Sequence, residues 1–160
     1  MGTFSDSMNR MISDITRDVG ERHHLVLVKL LERKGDVVRH RVRTELQSVS
    51  RKVLSQIPLE DKPFLATLQT EKLSKVGKKI YEESQRISNL ADSLVFEAKE
   101  GNIIVSTKEV KTALSLHYGN SLVPLVNLFA HIARWWQDEA NKEGIEVTVT
   151  SSPELQVSID

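Results

Sequence analysis

The sequence contains no cysteine, and only 5% of its 160 residues are aromatic. The absence of cysteine excludes disulfide scaffolds, thiolate metal sites and cysteine nucleophiles. The first residues, Met1–Asp6, lack the basic start and apolar run of a signal peptide. The most apolar run, Leu25–Leu31, includes Lys29 and is too short to span a bilayer. We therefore expect a soluble intracellular protein with no membrane segment.

The sequence also lacks the motifs of common enzymes. It has no nucleophile elbow, no phosphate-binding loop and no zinc signature. His23 and His24 are adjacent, so they cannot easily share one helix face as metal ligands. We therefore expect neither an enzyme nor a bound cofactor or metal.

Positive and negative charges balance over the whole chain but are unevenly distributed. Residues 22–52 contain nine Lys or Arg and three acids, whereas residues 101–160 contain four bases and seven acids. A basic stretch in a neutral protein is compatible with an edge that binds a polyanion, and equally with a solvated basic helix face.

The clearest helical pattern begins at Leu73. Leu73, Ile80, Ile87 and Leu94 recur every seven residues, which predicts one amphipathic helix from Leu73 to about residue 100. Such a helix is roughly 40 Å long, and its apolar stripe needs a partner along its whole length. Thr70 is its predicted N-cap.

Shorter elements are predicted on both sides of this helix. Before it, the patterns predict a helix over Phe4–Val19 that stops at Gly20, an apolar run Leu25–Leu31 that we favour as a helix, a turn at Arg33–Asp36, and a helix over Leu46–Ile57 closed by Pro58. After it, they predict a helix that opens at a capping box of Ser106 and Glu109 and stops at Gly119, a further apolar helix capped by Ser121, and two short strands or a tail over 145–159.

This order of elements resembles the histone fold, and most closely the core histone of type two-B. The matching segments are Arg51–Ile57 at the end of the first helix, Arg86 to Leu94 in the central helix, Val105–Leu114 at the third helix, and Leu122 where the family's extra helix begins. The resemblance covers roughly residues 38–137. It implies an all-α histone fold with an extra C-terminal helix and a helical N-terminal extension.

The resemblance also implies domain boundaries and partners. The expected divisions are an N-terminal extension (1–36), a histone fold (37–119), a C-terminal helix (120–144) and a tail or short strands (145–160). The expected partner is a type two-A-like histone in an obligate heterodimer, assembled with other core histones and double-stranded DNA in nucleosome-like particles without sequence specificity. The location would be the nucleus or chromosome, or a virion or viral factory, because the divergence resembles the histones of large DNA viruses.

The family's functional positions can be carried over to this sequence. The implied DNA-binding residues are Arg39, Arg41, Arg43, Lys62, Lys72, Ser106, Thr107 and Lys108. The implied dimer interface consists of Val53, Ile57, Leu73, Val76, Ile80, Ile87, Leu90, Leu94, Val110 and Leu114. The candidate docking residues for a further partner are Leu122, Leu125, Phe129, Trp135 and Trp136.

Two departures from the family leave alternatives open. The second loop carries Glu100 where the family has a basic residue aimed at the minor groove, and the net charge is zero. Both favour a histone-fold heterodimerisation subunit of a transcription or chromatin complex, with weak or no DNA binding. A third possibility is an unrelated helical interaction protein that shares the helix lengths.

Overall fold

The computed structural model describes residues 2–151, apart from the side chains of residues 2–4 and 15–18, and the described chain is mainly helical. The elements in chain order are α1 (Gly2–Leu54), a 3₁₀ turn (Leu59–Asp61), α2 (Lys62–Ala66), a second 3₁₀ turn (Thr70–Lys72), α3 (Lys75–Ser93), β1 (Leu94–Lys99), β2 (Asn102–Thr107), α4 (Val110–Tyr118), α5 (Leu128–Asn141) and β3 (Thr148–Ser151).

The longest element is α1, a single helix of 53 residues that is about 80 Å long. It passes through Gly20 and Arg33–Asp36 without a break, so the predicted stop and the predicted turn are wrong, while the helical interpretation of Leu25–Leu31 is confirmed. Each glycine costs a helix about 1 kcal/mol. Buried side chains on both sides of Gly35, among them Leu30 and Val38, outweigh that cost.

Helix α3 packs antiparallel along the C-terminal half of α1. Ser50 Oγ donates to the carbonyl of Ser84 at 2.9 Å, and nearer the start of α1 Arg43 contacts Asp92. The predicted helix from Leu73 to residue 100 is therefore too long, because α3 ends at Ser93. Its apolar stripe is covered by α1 of the same chain.

A β-hairpin stands where the helix was expected to continue. β1 pairs antiparallel with β2, and Lys99 pairs with Asn102 across a two-residue turn. Both turn residues, Glu100 and Gly101, have positive φ, 52° and 77°, as a tight type I′ hairpin requires. Ser106 lies inside β2, so the predicted capping box is wrong.

The third strand completes the sheet. β3 pairs parallel with β2, in the order β1-β2-β3. This confirms a strand within the alternating segment after Gly144. The second predicted strand, near Leu155, lies outside the described residues.

The N-terminus of α3 is held by a polar clasp. The N-cap is Ser74, whose Oγ accepts a hydrogen bond from Gly77 N, and the predicted cap Thr70 belongs to the preceding 3₁₀ turn. The buried Asp61 carboxylate accepts from both Ser74 N and Ser74 Oγ. A Cβ at Gly77 would fall on that carboxylate, which explains the glycine.

The C-terminal helices cover the core. α4 stops at Gly119, as predicted, with φ 75°. The Asn120 side chain then accepts from the amides of Leu122 and Val123, so α5 begins at Leu128 and the predicted cap at Ser121 is wrong. Trp136 of α5 is fully buried and meets Phe96 of β1 edge to face.

The observed architecture differs from the histone-fold layout in two respects. A three-stranded sheet lies next to the helices, and the first strand follows directly after α3. The expected boundary between residues 36 and 37 falls in the middle of α1. Helix α1 is therefore the central element of the fold, and α3, β1 and α5 pack on it.

Candidate protein-interaction surface

The first 25 residues of α1, residues 2–26, project from the rest of the protein and are called the arm below. Full burial against the remainder, the body, begins at Leu27 and Leu30. Before them, every described side chain of the arm except His23 is exposed. The arm is about 37 Å long, so it extends well beyond the body.

The arm carries an exposed apolar stripe. Met8 is 48% exposed, Ile12 58% and Val19 58%, and the stripe ends at Val26, which is 39% exposed. These four residues are spaced by four or seven positions, so they share one helix face. Met11, at 64%, widens the stripe on one side.

The opposite face of the arm is charged and supports the helix. Asp6, Arg10 and Asp14 follow at intervals of four, and Glu21 continues that face. Acid and base pairs at this spacing stabilise a helix by about 0.2–0.5 kcal/mol each. The arm is therefore amphipathic: its charged face is solvated, and its apolar face is exposed.

The arm leaves the body beside the hairpin turn. Gly101 of the turn lies beside the His23 ring, and a Cβ there would be in ordinary contact, 3.7 Å from His23 Cδ2. An open groove of about 690 Å³ lies between this part of α1 and the turn. Its lining consists of Gly20, Glu21, His23, His24, Leu25, Glu100 and Gly101. The hairpin thus marks the point at which the helix leaves the body.

The predicted DNA-binding arginines make contacts within the body. Arg39 donates to the carbonyls of Ala91 and Leu94, at 2.6 and 2.8 Å, where α3 ends. Its guanidinium also lies 5.0 Å from the centre of the Phe96 ring. These bonds satisfy helix-end carbonyls that have no partner within the helix. Arg39 is therefore a C-terminal clamp for α3.

Two further ion pairs of α1 reach other elements. Arg43 donates to Asp92 at 2.6 Å, and this hydrogen bond holds the pKa of the Asp92 carboxyl below its usual range. Arg41 lies 3.6 Å from Asp138 of α5. All three predicted arginines thus have partners within the chain.

The same arrangement neutralises the basic stretch further along α1. Arg33 donates to Glu143 at 2.6 Å, and Lys34 lies 3.3 Å from the buried Glu139. A hydrogen bond from Lys142 is the main cause of the lowered pKa of Glu139, and Lys34 adds to it, although burial opposes the shift. The basic half of the sequence and its acidic half therefore meet across the α1–α5 contact.

The other predicted DNA-binding residues do not form one surface with them. Lys62 is exposed on α2, and Lys72 Nζ lies 5.9 Å from the centre of the Phe64 ring. Thr107 is buried, 2.6 Å from Ser93 Oγ, while the neighbouring Ser106 is half-buried and Lys108 exposed. Lys62 and Lys72 follow the C-terminus of α1, whereas Ser106–Lys108 lie near its middle.

The predicted dimer interface is largely the core of this chain. Val53, Ile57, Leu73, Ile80, Ile87, Leu90 and Leu94 are buried, and Val110 and Leu114 are half-buried against the same core. Only Val76 of the ten predicted residues is exposed, at 60%. In this structure the stripe packs on α1 of the same chain, and its pairing with a second chain stays a prediction.

The predicted docking residues are divided between core and surface. Trp136 and Phe129 are buried, and Phe129 packs 5.0 Å from the His117 ring. Leu122 and Trp135 are half-buried, and Trp135 stacks on His131. Leu125 alone of the five is exposed, at 68%. These residues therefore do not form one docking patch.

Two further features bear on chemistry. Among the side chains that the structure describes, no group of three or more His, Asp or Glu is placed to hold a metal ion. None of the described helices combines the length and apolar character needed to cross a bilayer.

No protein-family model, curated protein or solved structure matches this chain. The arm is the feature that sequence reasoning located but did not recognise as a surface. Its apolar spacing predicted a helix over Phe4–Val19, and the charged opposite face was the available signal that this helix stands in water.

Proposed function

We propose that this protein is a helical interaction module whose body presents the arm to a partner helix. The observation that carries the proposal is the exposed stripe from Met8 to Val26. Contiguous apolar surface that stays exposed on a soluble domain marks interaction sites. An amphipathic helix recognises its partner through anchors at such spacing.

The body gives the arm its helical form. Isolated helices shorter than about 12–15 residues are marginal in water because the first turn is costly to form. The arm does not need to form that first turn, since α1 continues into the core at Leu27 and Leu30. The arm is thus ordered before it binds, which lowers the entropy lost on association.

The sequence resemblance leads to a second proposal, that of a core-histone-like protein that packages DNA with a type two-A-like partner. It stays a prediction. For DNA to use Arg39 and Arg43, these side chains would have to leave the Ala91 carbonyl and the Asp92 carboxylate. A handshake through Ile87 and Leu90 would have to displace α1, because both side chains are fully buried. The geometry therefore favours the interaction module.

The proposed interaction function is tested by size-exclusion chromatography of an extract of the source cells, which measures the apparent mass of the species that contains this chain. The chain should elute well above its monomer mass of 18.1 kDa. Ile12→Glu places a charge in the stripe and should return elution to the monomer position, since an unpaired buried charge is strongly unfavourable. Ser13→Glu adds the same charge one residue away, outside the stripe, and should leave elution unchanged.

The DNA proposal has a separate test. If the chain packages DNA with a histone partner, a gel-shift assay should show binding to random-sequence duplex at low salt. That binding should weaken steeply as the salt concentration is raised. Equal elution of the wild type and Ile12→Glu would remove the interaction module, whatever the gel shift shows.

A further inference from the structure

We propose that the partner of the arm is a second copy of this chain, and that the two arms pair antiparallel along their stripes. This inference rests on the interaction function proposed above and names its partner. Its evidence is the length of the stripe, the position of the charges beside it and the residues that continue its line.

The length of the stripe limits the partner. The stripe spans Met8 to Val26, about 27 Å along the helix. At Leu27 the body begins to cover α1. A partner helix therefore needs an apolar face of about the same length, and one of its ends must lie beside the body at Leu27. The arm of a second copy has this length, this spacing and an N-terminal end that projects from its body.

The charges of the arm are arranged in a way that permits pairing with itself. Positions flanking the apolar seam of two paired helices decide which partners are accepted, because like charges there repel. In the N-terminal half of the arm, small uncharged residues such as Ser5 and Asn9 border the stripe. Asp6, Arg10 and Asp14 lie on the far face and alternate in sign. Nothing in this pattern favours a strongly charged partner, and nothing there opposes an identical one.

The line of the stripe also indicates the orientation. Arg22 lies on this line within the stripe, between Val19 and Val26, and at the same helical spacing the line continues through Lys29 and Arg33. In a parallel pair in register, Lys29 of one copy would face Lys29 of the other. Like charges placed directly opposite each other are destabilising.

An antiparallel pair avoids this repulsion. If the two arms cross near residue 15, Arg22 lies beside the region of the partner's Met8, and Lys29 lies beyond the partner's first turn. Arg33 then keeps its own ion pair with Glu143, at 2.6 Å. The contact is isologous, so it closes at two copies and does not extend into a filament.

The first test measures mass on the purified full-length chain. Sedimentation velocity should show a species of twice 18.1 kDa. Ile12→Glu should sediment as a monomer with the wild-type circular dichroism of the body, and Ser13→Glu should remain a dimer. A purified chain that is monomeric at all concentrations would overturn the second-copy inference. The interaction function would still stand if the wild type elutes as a complex in the extract.

The second test measures orientation. Because the chain has no cysteine, Ser5→Cys gives one site for a spin label. Antiparallel arms that cross near residue 15 place the two labels about 30 Å apart, whereas parallel arms place them about 10 Å apart. A distance near 30 Å in the dimer supports the proposal. A short distance, or spontaneous disulfide formation between the two introduced thiols, would overturn the antiparallel arrangement and leave the dimer intact.

Discussion

At the scale of single residues, the stability of the body depends on polar side chains that close helix ends. Asp61 and Ser74 secure the start of α3, and Arg39 secures its end. In the structure the Asp61 carboxylate occupies the space that a side chain at position 77 would need. Sequence reasoning could not place Arg39, because the acceptors are backbone carbonyls more than 50 residues away.

Gly77→Ala should destabilise the protein by about 2 kcal/mol. The new methyl group forces Asp61 away, which strains the packing and weakens the hydrogen bonds to Ser74. Gly35→Ala is the matched control, since no atom lies within 4 Å of the added Cβ and alanine favours a helix. Urea unfolding should show opposite signs for the two variants. A neutral Gly77→Ala would mean that the clasp around Asp61 does not support α3.

Arg39→Ala should destabilise by about 2–3 kcal/mol, because it removes charge-assisted hydrogen bonds to two carbonyls at the end of α3. Arg41→Ala should cost less than about 1 kcal/mol, because its pair with Asp138 is exposed. Thermal unfolding of both variants measures the difference. Equal and negligible losses would show that neither arginine supports the fold of the body.

At the scale of elements, most helices are recognisable from periodicity, while the hairpin and the unbroken α1 are not. The heptad pattern runs through Leu94, so it suggested a longer helix, although Glu100-Gly101-Asn102 between alternating apolar residues is also a hairpin signal. Ser106 and Glu109 satisfied a capping pattern by composition alone. Tertiary packing favours the hairpin over a longer helix and over a helix start at Ser106, because Ile103 and Val105 of β2 are buried in the core.

Glu100→Asn should stabilise the hairpin by up to about 1 kcal/mol. Residue 100 has φ 52°, and asparagine accepts this left-handed conformation more readily than glutamate. Glu97→Asn, at an exposed strand position, is the control and should be neutral or slightly destabilising. Urea midpoints compare the two. A loss of stability in Glu100→Asn would show that the glutamate side chain itself supports the turn.

At the scale of the whole molecule, basic side chains of α1 form ion pairs with acidic side chains of the C-terminal segment, so the two opposite charge surpluses partly neutralise each other within the fold. Arg33, Lys34 and Arg41 of α1 pair with Glu143, Glu139 and Asp138 near the C-terminal end of α5. Composition revealed the two opposite surpluses but not their contact, because nothing in a single sequence states which distant segments meet. The same surplus had suggested a polyanion as the partner.

Stability should therefore fall in acid. The carboxyl pKa values of Glu139, Glu143 and Asp92 are lowered in the folded protein by hydrogen bonds from Lys142, Arg33 and Arg43. A lowered carboxyl pKa contributes stability above the unfolded value, about 4. That contribution is lost as the pH falls through the folded value. Urea midpoints should be level from pH 7 to about 5 and decline below about 4.

Glu139→Gln should flatten that decline, because the variant has no carboxyl group to protonate at this position. The control is Glu146→Gln at an exposed position. An identical acid decline in wild type and Glu139→Gln would show that the buried Glu139 is not among the groups that set it.

The continuity of α1 makes the arm and the core one cooperative unit. The helical order of the arm is inherited from turns that are fixed by burial at Leu27, Leu30 and Val38. When the body unfolds, the arm loses its nucleus and its binding face disappears with it. A partner that binds the helical arm therefore binds only the folded chain and shifts its folding equilibrium toward the folded state. Binding to the arm should raise the melting temperature of the core, although the partner does not contact the core.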